Sequence, residues 1–395
     1  MGDKASSDLT GRLIASFDPR HATRVRTDLR KKAGIKNLLR VEELGQRVSD
    51  LHTAPAISID DLGLAVIHPG RAGADETALR KVEGIQLRPE HKLSRTRVVP
   101  GNAGEPPTRL DWLNETTQTW ALSALGVRPS DEDGGGISVG VIDSGMALHP
   151  DVAGQVRERL SLVPGLDGGD TLGHGTHCGG LIAGSRTPKT GPRYGVAPRA
   201  SIVSIRVFGG SEDGVGEGSV RAAIYMAVQR GCRVISLAAG RPAPTYSKED
   251  ENLGRFLVLH NCILVAAAGN DSDRNGGVVV PTRAPANAPF VPAIGAMTPS
   301  TRVWNDSNGI GDDPATRVDA LAPGTGIRSA WVGGGTQAVS GTSAATALAA
   351  GVVAALWSRN PSLSAPEITR ELSRRAKRVP NAPPGAAGDG YLQLG

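Results

Sequence analysis

Ser343 stands in Val339-Ser340-Gly341-Thr342-Ser343-Ala344-Ala345-Thr346-Ala347, where a glycine-led turn runs into small apolar residues as far as Trp357. Such a stretch predicts a buried helix that opens at the serine, with the hydroxyl facing a cleft. Helix N-termini carry unpaired N–H groups and a partial positive charge, which suits an anion forming beside that oxygen. A serine hydroxyl is a weak nucleophile until it has a base, an acid that orients the base, and donors for an oxyanion. Three residues upstream are of fitting types: Asp143 after the apolar run 137–142, His174 in Gly173-His174-Gly175-Thr176-His177-Cys178-Gly179-Gly180, and Asn270 in Gly269-Asn270-Asp271. Each segment also has a plain structural reading, as a helix cap, a strand-ending turn or an Asn-Asp turn. Zinc at His174 and His177 lacks a third ligand at usable spacing.

The elements that must position these residues follow from pattern. Residues 137–142 predict a strand that delivers Asp143 at its carboxyl end, where sites form in parallel α/β sheets. The continuous apolar run 263–268 predicts a strand covered on both faces. Further strands are expected at 201–208, 233–240, 290–297 and 318–323, with a closing strand at 388–394. Helices are expected from His174, at 219–230 and 249–260, and up to Lys377 after the capping box Ser364-Ala365-Pro366-Glu367. The fold class is therefore α/β, a doubly wound, mostly parallel sheet with helices on both faces. Before it, residues 1–20 read as flexible. A helical stretch at 21–39, a second polar-apolar stretch at 42–51, strands at 62–68 and 84–93 and a helix at 75–82 make a small α+β unit. The Pro/Gly-dense segment that follows is a linker. The expected division is 1–98, linker 99–119, and 120–395.

Taken together, Asp143-Ser144-Gly145 with His149-Pro150-Asp151, the segment 173–184, Tyr194-Gly195-Val196-Ala197-Pro198, Gly269-Asn270 and Gly341-Thr342-Ser343 resemble the subtilisin-like serine proteases, the subtilases, over about the last two-thirds of the chain. The resemblance implies a serine endopeptidase with Ser343 as nucleophile, His174 as base, Asp143 as the acid that orients it and Asn270 as oxyanion donor. It implies that an extended substrate pairs between Gly214-Val215-Gly216 and Ala238-Ala239-Gly240, with Ala267, Ala268 and Gly269 beside it and 271–280 walling the pocket for the residue before the cut. It also implies that the N-terminal unit is a propeptide, an intramolecular inhibitor of a self-processing zymogen, with self-cleavage near residues 94–104. Relatives usually have Ser-Leu-Gly at 238–240, and methionine and proline where Ala344 and Ala347 stand here. The alternatives are a dedicated maturase for one partner peptide and a non-catalytic peptide-binding relative.

Other partners and cofactors are constrained by composition. The chain has 395 residues and a net charge of +5. Residues 1–110 hold 19 Lys and Arg against 14 Asp and Glu, the remainder 25 against 25, so the larger part has no basic surplus for nucleic acid. Protein or peptide substrates are expected, without nucleic acid or membrane. Cys178, Cys232 and Cys262 are odd in number, which argues against a disulfide framework. No apolar leader stands in the first thirty residues, and the run 344–357 is too short to span a bilayer. A cytoplasmic protein, or one exported by a non-standard route, is the expectation. No cofactor or catalytic metal is expected. The loop 185–190 lacks the carboxylates that calcium favours, and calcium elsewhere is not readable. Glu212, Asp213 and Glu217 fit either a preference for basic residues upstream of the cut or a solvated surface loop.

Overall fold

The structure, a computed structural model, describes residues 9–44, 51, 54–96, 99–100, 117–131, 133–209, 214–243 and 245–395. Its N-terminal part is a sheet of β1 (Leu9–Phe17), β2 (Leu38–Arg40), β3 (Ala56–Ile59), β4 (Leu64–Ile67) and β5 (Ile85–Arg95), in the order β5-β1-β4-β3-β2. Side chains alternate across β1 as the strand period requires. Leu13, Ala15 and Phe17 pack with Val25 and Leu29 of α1 (Ala22–Lys31), while Ile14 faces the other way with Ile57, Ile59 and Leu64.

Three local expectations are corrected here. Residues 9–17, read as flexible, form β1 inside the sheet, because both edges of the strand find partners far along the chain. The first helix ends at Lys31 rather than Leu39: Gly34 adopts φ +73, and Leu38–Arg40 pairs with β3 instead. The expected helix at 75–82 is one turn, Glu76–Leu79. Residues 45–50 of the second stretch, and 101–116 of the linker, lie outside the described residues.

The larger part is built on β7 (Ser138–Asp143), β8 (Val156–Ser161), β9 (Ser201–Arg206), β11 (Val234–Leu237), β13 (Ile263–Ala267), β14 (Ala293–Met297) and β15 (Ala320–Pro323). Their order is β15-β14-β13-β11-β7-β9-β8, all parallel. The chain changes winding direction between β7 and β11, which opens a crevice at their carboxyl ends. Beyond the short α2 (Trp120–Ala124), helices α3 (His174–Ala183) and α6 (Thr342–Arg359) cover one face. Helices α4 (Glu217–Gln229) and α5 (Lys248–Leu259) cover the other, sharing a core with β3 and β4. A hairpin of β16 (Ile327–Ala330) and β17 (Thr336–Ser340) leads into α6. Helix α7 (Ala365–Arg375) opens with both hydrogen bonds of the expected capping box, Ser364 with Glu367. No strand forms at 388–394, where Tyr391 makes only isolated bridges to Leu321 and Lys377.

Strand β5 is the exception to this division. Its eleven residues leave the N-terminal sheet and continue between two short strands of the larger part, β10 (Val215–Gly216) and β12 (Ala239–Gly240). After it, β6 (Val99–Pro100) pairs with β17.

Small residues let α3 approach the rest. A Cβ on Gly175 would lie 2.2 Å from the Gly145 carbonyl oxygen and 3.2 Å from the Asp143 Cβ. Gly175→Ala therefore has backbone to push against, and overpacking of this kind costs about 1–3 kcal/mol. Urea unfolding in a Ser343→Ala background should show that loss; unchanged stability would mean α3 is not held this closely.

Candidate active site

Asp143 ends β7, and the N–H groups of Val207 and Phe208 bond its carbonyl. Its carboxylate accepts from Ser144 N–H at 2.6 Å and receives His174 Nδ1 at 2.7 and 2.8 Å. Burial works to raise its proton affinity, but the charge and hydrogen bond of His174 outweigh it and hold the carboxyl below the usual range. His174 is the first residue of α3, and its Nε2 is buried without a hydrogen-bonding partner.

The pair is held in register by Asp170, which sequence reading passed over. Asp170 accepts from the N–H groups of Leu172, Gly173 and Thr176 and from the hydroxyls of Ser144 and Thr176. It thus ties the turn after Asp143 to the start of α3. An acid shortly before a glycine-led helix start was the available signal.

Cys178 lies one turn along α3, and its sulfur with Asp143 and His174 offers three ligand atoms within 4.8 Å of one another. Burial, with the charge of Asp143, pushes the thiol well up, so sulfur stays protonated rather than presenting a thiolate. His177 turns the other way, onto the Ile327 carbonyl at 2.9 Å, with its ring edge-on to Trp331. Burial pushes its imidazole down to about 4, against the pull of that carbonyl.

Ser343 sits in the first turn of α6 and is 2% exposed. The preceding residue, Thr342, donates its N–H and hydroxyl to Asn270 Oδ1 at 3.0 and 2.6 Å. That fixes the Asn270 carboxamide and turns its Nδ2 end away from Thr342. Gly269 must be glycine: its φ is +114, and a Cβ there would meet Asn308 Nδ2 at 2.4 Å.

Residues 92–96 occupy the cleft. Lys92 and Leu93 pair with Gly216 and Val215 on one side, and Ser94 and Arg95 with Gly240 and Ala239 on the other. Gly214 lies against Leu93, leaving no room for a Cβ. Thr96 N–H bonds the Ala238 carbonyl at 3.2 Å, and the Thr96 hydroxyl bonds Ser343 Oγ. Arg95 lies over the Phe208 ring and adds its field to Asp143. Past the site, Val99 and Pro100 pair with Ser340 and Val339. Residues 92–96 therefore run up to Ser343 as an extended segment between the edges expected for a peptide. Ala267 and Ala268 are fully buried at the end of β13.

Of the acids read into the cleft, Glu212 and Asp213 lie outside the described residues, and Glu217 is held by Arg88 and the His91 N–H of the strand that fills it. Glu217 is 2% exposed and paired with Arg88 and Arg241. Beside the segment 271–280, Arg283 pairs with Asp271.

A family model described as the subtilase family matches residues 134–390. The chain is 29% identical over 307 residues to the cuticle-degrading protease of Metarhizium anisopliae, covering 77% of this chain and 70% of that one. To the M-protease of Shouchella clausii it is 32% identical over 249 residues, 63% of this chain and 61% of that one. Among solved structures, fervidolysin from Fervidobacterium pennivorans, described as a keratinolytic enzyme related to subtilisin, shares the fold with a TM-score of 0.72 at 22% identity. That match covers 98% of this chain and 60% of fervidolysin. The chain thus spans less than two thirds of both the M-protease and fervidolysin. Among the described residues no helix is long and apolar enough to cross a membrane.

The low proton affinity of His177 sets a pH dependence. The unfolded chain takes up that proton near 6.5, whereas the folded protein resists it down to about 4. Stability is therefore full above pH 6.5 and falls as pH drops toward 4, by at most about 3 kcal/mol from this group. In the Ser343→Ala background, adding His177→Asn should flatten the urea-unfolding profile across that window; an equal slope would remove His177 as its source.

Proposed function

The chain belongs to the subtilase family of subtilisin-like serine proteases, and on that premise we propose that it hydrolyses peptide bonds through Asp143, His174 and Ser343, beginning with a bond of its own. With both carboxylate oxygens of Asp143 acting as acceptors, His174 Nδ1 carries the proton and donates it, which leaves a lone pair on Nε2. Ser343 turns from the Thr96 hydroxyl toward Nε2, gives up its proton and attacks a carbonyl carbon. Negative charge then grows on the carbonyl oxygen, stabilised by Asn270 Nδ2 and the Ser343 N–H. The leaving amine takes the proton from His174, and water releases the acyl group by the same steps. No cofactor takes part. In the loop where acids are lacking, the neighbouring carboxylate of Asp151 is shared by Lys189 N–H and the hydroxyls of Thr190 and Tyr194.

The observation that supports this reading most is the strand in the cleft. Residues 92–96 are paired on both edges with the Thr96 side chain on Ser343. The bond that follows Thr96 is the one so presented, and after cleavage the N-terminal domain remains as an inhibitor held by β5. Other protein or peptide substrates then enter as extended strands in the same place, bound mainly through the backbone.

Purified protein should yield a fragment with Arg97 at its N-terminus by mass spectrometry, and Ser343→Ala should stay whole at 40.8 kDa. Cleavage after Thr96 in pure Ser343→Ala protein would overturn the assignment. Asn270→Ala should process itself and cleave added peptide about 10²–10³ more slowly in kcat, the loss known for the equivalent donor of a subtilisin. An unchanged kcat would remove Asn270 from the oxyanion site.

A further inference from the structure

Arg283 crosses the space between the two backbone segments that flank the cleft. Its N–H bonds the Ala268 carbonyl at 2.9 Å. Its Cβ stands 2.8 Å from where a Cβ on Gly240 would lie, and its Cδ 3.0 Å from one on Gly269. Glycine at both places is what lets the side chain through. The guanidinium is then clamped: Nε and Nη2 reach the two carboxylate oxygens of Asp271 at 2.7 and 2.5 Å. Asp271 is itself fixed by Asn308, which donates Nδ2 to its carboxylate and accepts its N–H, both at 2.8 Å.

The remaining nitrogen, Nη1, points at the strand in the cleft. It donates to the Gly240 carbonyl and to the Ser94 hydroxyl oxygen, each at 3.0 Å. Ser94 pairs with Gly240 and is the third residue upstream of the bond after Thr96. We propose that Arg283 is a specificity-determining residue that selects a hydroxyl-bearing residue, Ser or Thr, at the third position upstream of the cut. The inference rests on the protease reading above. A guanidinium cannot lose its proton, and the fork held by Asp271 cannot swing aside. Its free N–H therefore points at the third side chain whatever that side chain is. Alanine leaves a charged donor facing a methyl group, and lysine brings a like charge.

The test uses the processed enzyme after its cleaved N-terminal fragment has been separated, with three fluorogenic peptides, Leu-Ser-Arg-Thr, Leu-Ala-Arg-Thr and Leu-Lys-Arg-Thr, each followed by the same leaving sequence. In kcat/KM, serine should be preferred over alanine by about 3–10-fold, the range of one net hydrogen bond in a partly wet site, with lysine lowest. In Arg283→Met the serine-to-alanine ratio should fall to about one; the ratio is the readout, whatever the absolute rate. A wild-type ratio near one overturns the proposal by itself, even if the variant fails to fold, and so does a ratio that persists in Arg283→Met. If none of the peptides is cut, the protease reading is what fails. Fluorescence anisotropy of the same peptides on that fragment-free protein then decides whether the serine preference exists in binding.

Discussion

Asp143 is 1% exposed, and a carboxylate in such a place keeps its charge only if donors replace the water it has lost. Here the donors are the imidazole of His174 and the N–H of Ser144. Supplying them dictates much of the surrounding architecture. β7 has to end at the point where the sheet changes winding direction, so that α3 can start beside it. Gly175 has to lack a side chain, so that the start of α3 can rest on the Gly145 carbonyl. Asp170 has to gather the loop between them, because five donors converge on its two oxygens. Loss of any of these would leave the carboxylate charged and unpartnered, or protonated and unable to orient His174.

How much of this was legible depended on how local the cause was. Asp143, His174, Asn270 and Ser343 stand in short glycine-bounded segments at the ends of apolar runs, and such segments betray themselves in sequence. The edges at 214–216 and 238–240 were expected only through the resemblance, and β5 pairs with both. Residues 9–17 were not, since β1 gains its order from β4 and β5, more than forty residues away. The burial of Glu217 was not legible, because its partners, Arg88 and Arg241, come from other elements. Arg283 gave no signal, as nothing near it in sequence announces that it returns to Gly240 and Asp271.

Because β5 belongs to the N-terminal sheet at one end and to the cleft at the other, the two parts of the molecule share backbone hydrogen bonds rather than only side-chain contact. Glu90, midway along it, is fully buried: one oxygen accepts from Gly218 N–H at the start of α4, the other from Arg12 of β1 at 2.5 Å. An acid at a helix N-terminus is favourably placed, and here it comes from a different domain than the helix it caps. The order of 214–216, which frames the cleft, thus depends partly on a residue outside the larger part.

Beside this strand lies a cluster with a consequence for the separation of the two parts. Arg88, Arg221 and Arg241 meet Glu217, Glu249 and Asp250, a set balanced in charge and largely removed from water. Only Arg88 belongs to the N-terminal part. If β5 lifts away, the body keeps two of these cations against three carboxylates, and Glu217 and Glu249 lose one of the cations that hold them below the usual carboxylate range. Departure is then thermodynamically coupled to uptake of a proton, so acid favours parting and alkali favours re-association. The strength of the grip between the two halves becomes a property of the medium as well as of the sequence.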